Sequence, residues 1–267
     1  MSTFWDSFPE RHANMYSVSN GLVYTAKYAT PFETERVPAL LLISLEDSEL
    51  IVNCQGSETR SKAVFVGNRV KGSIEVWGIP FAAVHIGPSH PAFRALADVT
   101  REIPVREMDF SAFSNLLGTL RACYERLADQ TEAQAALDSA ATTLIELLGV
   151  KASRDPRIGA VIEHLTAQSP LDYRFDELLE KVMLSPGRFS HLFTEEVGIS
   201  LRSYQKWRKI REALRLLQRD DNLTAVAHLS GFSDSAHFSR TFSQTFGLIP
   251  TLFRSGRCVQ VIGDTLH

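Results

Sequence analysis

The chain has 267 residues, of which 44% are hydrophobic, 22% charged and 9% aromatic, a composition that supports one large or two modest globular domains and excludes disordered and fibrous classes. Its longest apolar stretch, Leu40 to Ile43, is far short of the roughly 20 residues of a membrane span, and the polar start MSTFWDSFPERH lacks a basic-then-apolar signal pattern, so a cytoplasmic protein without membrane contact is expected. The net charge of −3 is unevenly spread: residues 154–257 carry 15 Lys and Arg against 12 Asp and Glu, whereas residues 1–153 carry 13 against 18, so only the second half leans basic.

From Gly21 to about Gly87 the sequence reads as six short strands broken by turn residues: LVYTAKYA, PALLLISL, ELIVNCQG, KAVFVG, SIEVWG and AAVHIG. Six such strands predict a small barrel or sandwich. Tyr24 and Tyr28 alternate with Leu22 and Ala26, so the tyrosines are candidates to line a pocket for an organic effector, although aromatic core packing accounts for them equally well. Trp77 and His85 are further candidates of the same kind. His85 and His90 are separated by a Gly-Pro turn and no HxH pair or ordered carboxylate completes a ligand set, so neither a metal nor a cofactor is expected. Cys54, Cys123 and Cys258 are odd in number and widely spaced, which reads as packing and not as a disulfide framework.

Helical periodicity begins with Phe113, Leu116, Leu120, Cys123 and Leu127, which recur at alternating spacings of three and four. This seam is expected either to close a local helical hairpin or to serve dimerisation. A second run, Leu137, Ala141, Leu144 and Leu148, ends at Gly149, and VKASRDP marks a boundary. The expected division is a β-rich sensing or regulatory domain over 1–100, a helical connector over 101–150 and an all-α domain over 155–257. The fold class is thus α+β with two domains.

Beyond Asp155, FDELLEKVM and SPGRFSHLFTEEVG are joined by a turn around Met183 and Leu184, with Ser185 and Pro186 as N-cap and first-turn residues. LTAVAHL, the turn SGFS and a helix that Asp234 can cap repeat this helix-turn-helix grammar. The two units match at a constant offset of 49 residues: Phe189 with Phe238, Ser190 with Ser239, Phe193 with Phe242, Gly198 with Gly247 and Tyr204 with Phe253. Phe189, Phe193 and Val197 fall on one helical face, as do Phe238, Phe242 and Phe246. The opposite faces then carry Gly187, Arg188, Ser190, His191 and Thr194 in the first unit and Ser235, Ala236, His237, Ser239 and Arg240 in the second. Small residues permit close approach, hydroxyls and imidazoles bond base edges or phosphates, and Arg can engage guanine O6 and N7 together. No acidic residue is expected to interrupt either stripe. A helix from Leu201 to Arg219, about 28 Å long at 1.5 Å per residue, separates the units and offers Arg202, Lys206 and Lys209 to the phosphate backbone. Arg208 is expected to serve helix packing more than base contact.

QKWRKIREALRLLQ, the spacing Gly198-x5-Tyr204-x3-Arg208-x4-Ala213-x2-Leu216-Leu217, and GFSDSAHFSRTFSQTFGLIP followed by FR resemble the DNA-binding domain of the AraC/XylS family of bacterial transcription regulators. The likeness covers about 100 residues, from near Asp155 to Gly256. It implies a seven-helix domain with two helix-turn-helix subdomains held by a central helix. Family base-contacting positions fall on Gly187, Ser190 and His191, and on Ser235, Ala236, His237 and Arg240. Gly187 has no side chain and His191 stands where Arg is common, so more of the base readout is expected in the second unit. The N-terminal half resembles, more weakly, cupin-like sensing domains.

The expected function is regulation of transcription by binding, without catalysis. The expected partners are double-stranded promoter DNA, RNA polymerase, a small-molecule effector and a second copy of the chain. The alternatives are an effector-independent dimeric regulator and a cupin-type enzyme fused to a DNA-binding module. No nucleophile elbow, phosphate-cradling loop or paired-carboxylate signature is present.

Overall fold

A computed structural model describes residues 13–29, 31–151, 155–219, 222–256 and 258–263. The N-terminal strands are β1 (Ala13–Val18), β2 (Gly21–Ala29), β3 (Thr34–Glu35), β4 (Ala39–Ser44), β5 (Leu50–Cys54), β6 (Ser57–Ser61), β7 (Ala63–Val66) and β8 (Lys71–Ile86). Helix α1 (Phe93–Val99) and strand β9 (Val105–Glu107) follow, then α2 (Ser114–Glu125) and α3 (Gln130–Leu148). The last strand, β10 (Val259–Gly263), returns from the C-terminal end.

β8 organises the sheet. Its second half lies between β2 and β4, pairing antiparallel with Tyr24↔Ala83 on one side and Leu42↔Ala83 on the other, while its first half pairs with β5 and β3. The two runs SIEVWG and AAVHIG are therefore one 16-residue strand, not two. It passes through Gly78 at φ +74°, a left-handed conformation suited to glycine, opposite a register shift between Ala26 and Tyr28. The main path runs β10-β1-β2-β8-β4-β7-β9, and its two ends do not pair with each other. The expected cupin-like barrel is thus corrected to an open sheet.

The reason lies in burial. All six residues of β4 are buried, and alternate residues point into different cores. Leu22, Leu40, Leu42, Phe81 and Ala83 share one core with Trp207, Phe242 and Phe246. Val23, Leu41, Ile43, Ala82 and Val84 share the other with Phe113, Leu120, Leu137 and Leu144. Helices cover both faces, so the strands read as continuous apolar runs and need no barrel closure to shield them.

The second core also corrects the seam. Phe113, Leu116, Leu120 and Cys123 are at most 3% exposed and pack against α3 and the sheet, leaving only Leu127, at 75% exposed, outside. These four side chains are used up inside the chain and offer no intermolecular surface. Asn14 Nδ2 donates to the Tyr124 carbonyl at 2.8 Å, fixing the end of α2 to β1. A capping box of Asp129 and Glu132 starts α3, and Gly149 ends it at φ +68°.

The C-terminal helices are α4 (Pro156–Thr166), α5 (Phe175–Val182), α6 (Pro186–Val197), α7 (Leu201–Leu217), α8 (Leu223–Leu229) and α9 (Ser235–Phe246), with a 3-10 segment over Pro250–Gly256. Two ties join this half to the sheet. Arg211 donates to the Ser19 carbonyl at 2.7 Å and to the Val18 carbonyl, and β10 lies parallel to β1 from Ala13↔Val259 to Ser17↔Gly263. The sheet thus extends past residue 100 through β9 and takes its edge strand from beyond residue 257.

Candidate nucleic-acid interface

The sequence repeat is a repeat in space. In the first unit Phe193 meets Tyr204 with ring centroids 5.6 Å apart at 78°, and in the second Phe242 meets Phe253 at 5.1 Å and 79°. Phe189 with Phe193 and Phe238 with Phe242 repeat the preceding contact at 5.9 and 5.6 Å. These edge-on aromatic pairs set the rotation of α6 and α9. Both helices end on a left-handed glycine, Gly198 at φ +83° and Gly247 at φ +72°.

With the phenylalanines buried, the expected faces turn outward. Gly187, Arg188, Ser190, His191 and Thr194 on α6 are all exposed. The turn before α6 is made by Met183, left-handed at φ 52° and 90% exposed. Glu195, one helical turn beyond His191, lies 3.6 Å from its Nδ1, so an acidic residue does interrupt this stripe, contrary to expectation. Thr194 spends its hydroxyl proton on the Ser190 carbonyl at 2.8 Å.

On α9, Ala236, His237 and Arg240 are exposed, whereas Ser235 and Ser239 are half-buried. Asp234 caps the helix by accepting from the His237 backbone N–H at 2.7 Å. That bond and the Ser233 hydroxyl hold its carboxyl below the usual range, so the cap stays charged at neutral pH. The His237 ring rests edge-on against Phe232, with centroids 5.4 Å apart. Arg240 takes part in no ion pair among the described residues.

Helix α7 spans 17 residues, about 25 Å, two residues shorter than read from the sequence. It serves both units: Tyr204 lies in the core of the first, and Trp207, Ile210 and Leu214 lie in that of the second. Arg202 and Lys206 are exposed. Lys209 is instead half-buried and donates from Nζ to the Gly231 carbonyl at 2.6 Å, holding the turn between α8 and α9. Arg208 is buried, donating to Gln205 Oε1 at 2.8 Å and to the Gln168 carbonyl at 2.7 Å, which is the packing role expected of it.

The helix-turn-helix domain family matches residues 178–256. The arabinose operon regulatory protein of Escherichia coli strain K12 is 36% identical over 96 residues, 35% of this chain and 32% of that protein. The HTH-type transcriptional activator RhaR of Pectobacterium atrosepticum is 30% identical over 99 residues, 37% of this chain and 35% of that protein. Over residues 178–256 the chain carries a helix-turn-helix domain, and it is similar there to transcription regulators of the AraC type. It spans about a third of the length of these relatives. A crystal structure of apo ToxT from Vibrio cholerae resembles the fold over 86% of this chain and 94% of that one, with a TM-score of 0.54 at 10% identity. ToxT with an unsaturated fatty acid bound gives 0.50 at 12% identity, over 88% and 95%. The shared fold is a sheet-rich N-terminal half against an AraC-type helical half.

Behind the second unit, where α9 meets the sheet, lies a cavity of about 40 Å³. Tyr24, Tyr28 and His85 line it. Trp77 does not: it pairs with Tyr28 across the strands, is 51% exposed and donates to Glu75 Oε1 at 3.0 Å. The sequence reading missed Arg36 and the closing wall of Phe246, Gly247 and Leu248. The His85 ring meets Phe246 edge-on at 6.3 Å. Burial and the nearby Arg36 charge push the His85 pKa down to about 3, so the imidazole is neutral at physiological pH. His90 lies elsewhere: its Nδ1 accepts from the Ala92 N–H at 3.0 Å and its Nε2 faces Asp138 at 3.1 Å. Among the described residues no group of three or more His, Cys, Asp or Glu is placed to hold a metal ion, and no helix is long and apolar enough to cross a membrane.

Proposed function

We propose that this chain regulates transcription by inserting α6 and α9 into successive major-groove segments of promoter DNA, under the control of a small molecule in the cavity behind α9. The observation that carries the reading is the spatial repeat: two aromatic cores of matched geometry each turn a small-residue, hydroxyl and basic face outward. The 25 Å rod and its flanking turns suit groove segments that repeat about every 34 Å on one side of B-DNA. Gly187, Arg188, Ser190, His191 and Thr194 approach the first segment, and Ser235, Ala236, His237, Ser239 and Arg240 the second. Arg202 and Lys206 contact phosphate, and Lys209 supports the second turn.

In this reading residues 1–100 sense, residues 101–150 brace the sheet as a connector, and residues 155–257 read DNA. Control by a ligand is supported by the cavity's position, because its closing wall is the end of the second reader helix. ToxT, whose structure with an unsaturated fatty acid bound is similar in overall fold, adds support. Recruitment of RNA polymerase and pairing of two chains on repeated sites complete the proposal, with the dimer contact outside the buried α2 seam.

Selection of bound sequences from randomised DNA by the full chain, followed by anisotropy titration at several salt concentrations, tests the proposal. A recovered site with two half-elements one helical turn apart and a steep fall of affinity with salt supports it. Absence of sequence preference at low salt overturns it. A cupin-type enzyme would instead purify with a transition metal detectable by elemental analysis. An effector-independent regulator would show no rise in melting temperature with any metabolite.

A further inference from the structure

The cavity holds a positive charge that no described residue neutralises. Arg36 is 7% exposed and lines the cavity. One terminal nitrogen donates to Thr34 Oγ1, while Nε is buried with no hydrogen-bond partner among the described residues. The titratable neighbour is Cys54, whose thiol burial pushes up, so it stays neutral and supplies no counter-charge. In the same cavity His85 Nδ1 is also buried without a partner among the described residues. The remaining wall is largely apolar and aromatic, including Ile74, Phe81, Phe246 and Leu248.

A buried guanidinium without a carboxylate is costly, and leaving its Nε unpaired adds to that cost. An anion that enters with its own apolar body removes both penalties. The planar fork of Arg matches a carboxylate best. A neutral imidazole can donate to the same head once its tautomer places the proton on Nδ1. A polyhydroxylated ligand would demand many more polar partners than this wall offers.

Resting on the ligand-control reading above, we infer that the cavity binds a small organic monocarboxylate, with its head on Arg36 and His85 and its apolar body between Phe81 and Phe246. Size makes the coupling to DNA direct. At roughly 10–15 Å³ per water-sized probe, 40 Å³ admits the carboxylate head and little more. A body longer than the head presses on Phe246, Gly247 and Leu248, which line the cavity beside the sheet. Gly247 is packed tightly enough that a Cβ there would lie 3.2 Å from Thr34 Cγ2 and 3.9 Å from Arg36 Nη2. Entry of the ligand therefore shifts the C-terminal end of α9 while leaving α6 in place.

Calorimetric titration of the full chain with acetate, octanoate and 4-phenylbutanoate, each beside its primary amide, tests the assignment. Octanoate or phenylbutanoate should bind at least tenfold more tightly than its amide. Arg36→Gln should erase that preference and Arg36→Lys should restore part of it. Arg36→Met, which removes the uncompensated charge, should keep or raise the melting temperature, so loss of binding cannot be assigned to unfolding. Equal binding of acids and amides, full affinity for acids in folded Arg36→Met, acetate binding as tightly as the longer acids, or no binding of any acid would each overturn the inference. Carboxylate binding by a chain that recognises no DNA would leave this site standing and strike the regulator reading alone.

Discussion

The two helix-turn-helix units share an aromatic geometry and differ in what stands behind it. The first unit closes largely on itself: Phe189, Phe193, Val197 and Tyr204 pack with Ile158, Val161 and Leu178, and the N-terminal half contributes mainly Phe93 and Ala97 of α1. The second shares one continuous core with the sheet, from Leu22 and Phe81 through Trp207 to Phe242 and Phe253. A duplicated helix-turn-helix unit has thus been divided into one self-contained copy and one whose position depends on another domain. The cavity lies at the dependent one.

Truncating the repeated phenylalanines should expose this division most strongly. Phe193→Ala and Phe242→Ala each remove a fully buried ring, a change that costs about 3–5 kcal/mol in protein cores. Hydrogen exchange should show Phe193→Ala loosening α4 to α6 while β2, β8 and β10 stay protected. Phe242→Ala should loosen α8, α9 and the sheet face together. Equal local loosening in both variants would mean that the shared core does not couple the sheet to the second unit.

Acid should act on the same side. His85 keeps its neutral form in the folded chain down to about pH 3, whereas the unfolded chain takes up the proton near pH 6.5. The contribution is therefore complete above about pH 6.5 and is lost as pH falls from there towards 3, by about 1.4 kcal/mol per pH unit. At pH 5 this is roughly 2 kcal/mol. Denaturant titrations of wild type and His85→Gln between pH 7 and 4 isolate the effect, since the variant should have the shallower profile. Parallel profiles would show that His85 is not held neutral.

The repeat was legible because helical packing is local: a spacing of four residues places aromatic rings on one face whatever surrounds them. The 49-residue offset, the Asp234 cap and the turn at Met183 followed from that alone. The sheet was less legible. A run such as LLLI announces burial on both faces, but not that the second cover is a helical domain some 170 residues further on, and this long-range cover is what makes a barrel unnecessary. β10 was missed because a five-residue strand has no pattern until its partner β1 is known. Heptad spacing at Phe113, Leu116, Leu120 and Cys123 marks a seam without naming its partner. Leu120→Glu should accordingly unfold the N-terminal half, as seen by circular dichroism, where an intermolecular seam would have given folded monomers. Arg36 left no signal at all, since a single arginine two residues before a proline resembles any solvated charge.

At the DNA surface the expected effects are smaller and again unequal. Arg240 projects from α9 with no ion pair to any described residue, whereas His191 on α6 has Glu195 beside it. Arg240→Ala should cost about 1–3 kcal/mol at one base position and relax the preference there, and His191→Ala should cost less. Sequence selection with each variant measures both. An unchanged preference for Arg240→Ala would place that side chain on the backbone and transfer the readout to His237 and Ala236.

The smallest effect comes from two lysines one turn apart on α7, which sequence alone treats as equivalent. Lys206 is exposed and makes no ion pair with a described residue, so Lys206→Ala should weaken binding to all sequences alike and reduce the slope of affinity against salt by about one counterion. Lys209 is bonded to the Gly231 carbonyl. Removing it leaves that carbonyl short of a partner and loosens the turn that aims α9, at about 1–3 kcal/mol of stability. Lys209→Ala should therefore lower the denaturation midpoint and blur preference within the second half-element while leaving the salt slope nearly unchanged. If both variants lowered the slope equally and neither lost stability, both lysines would be phosphate contacts, and the second turn would owe its position to the sheet alone.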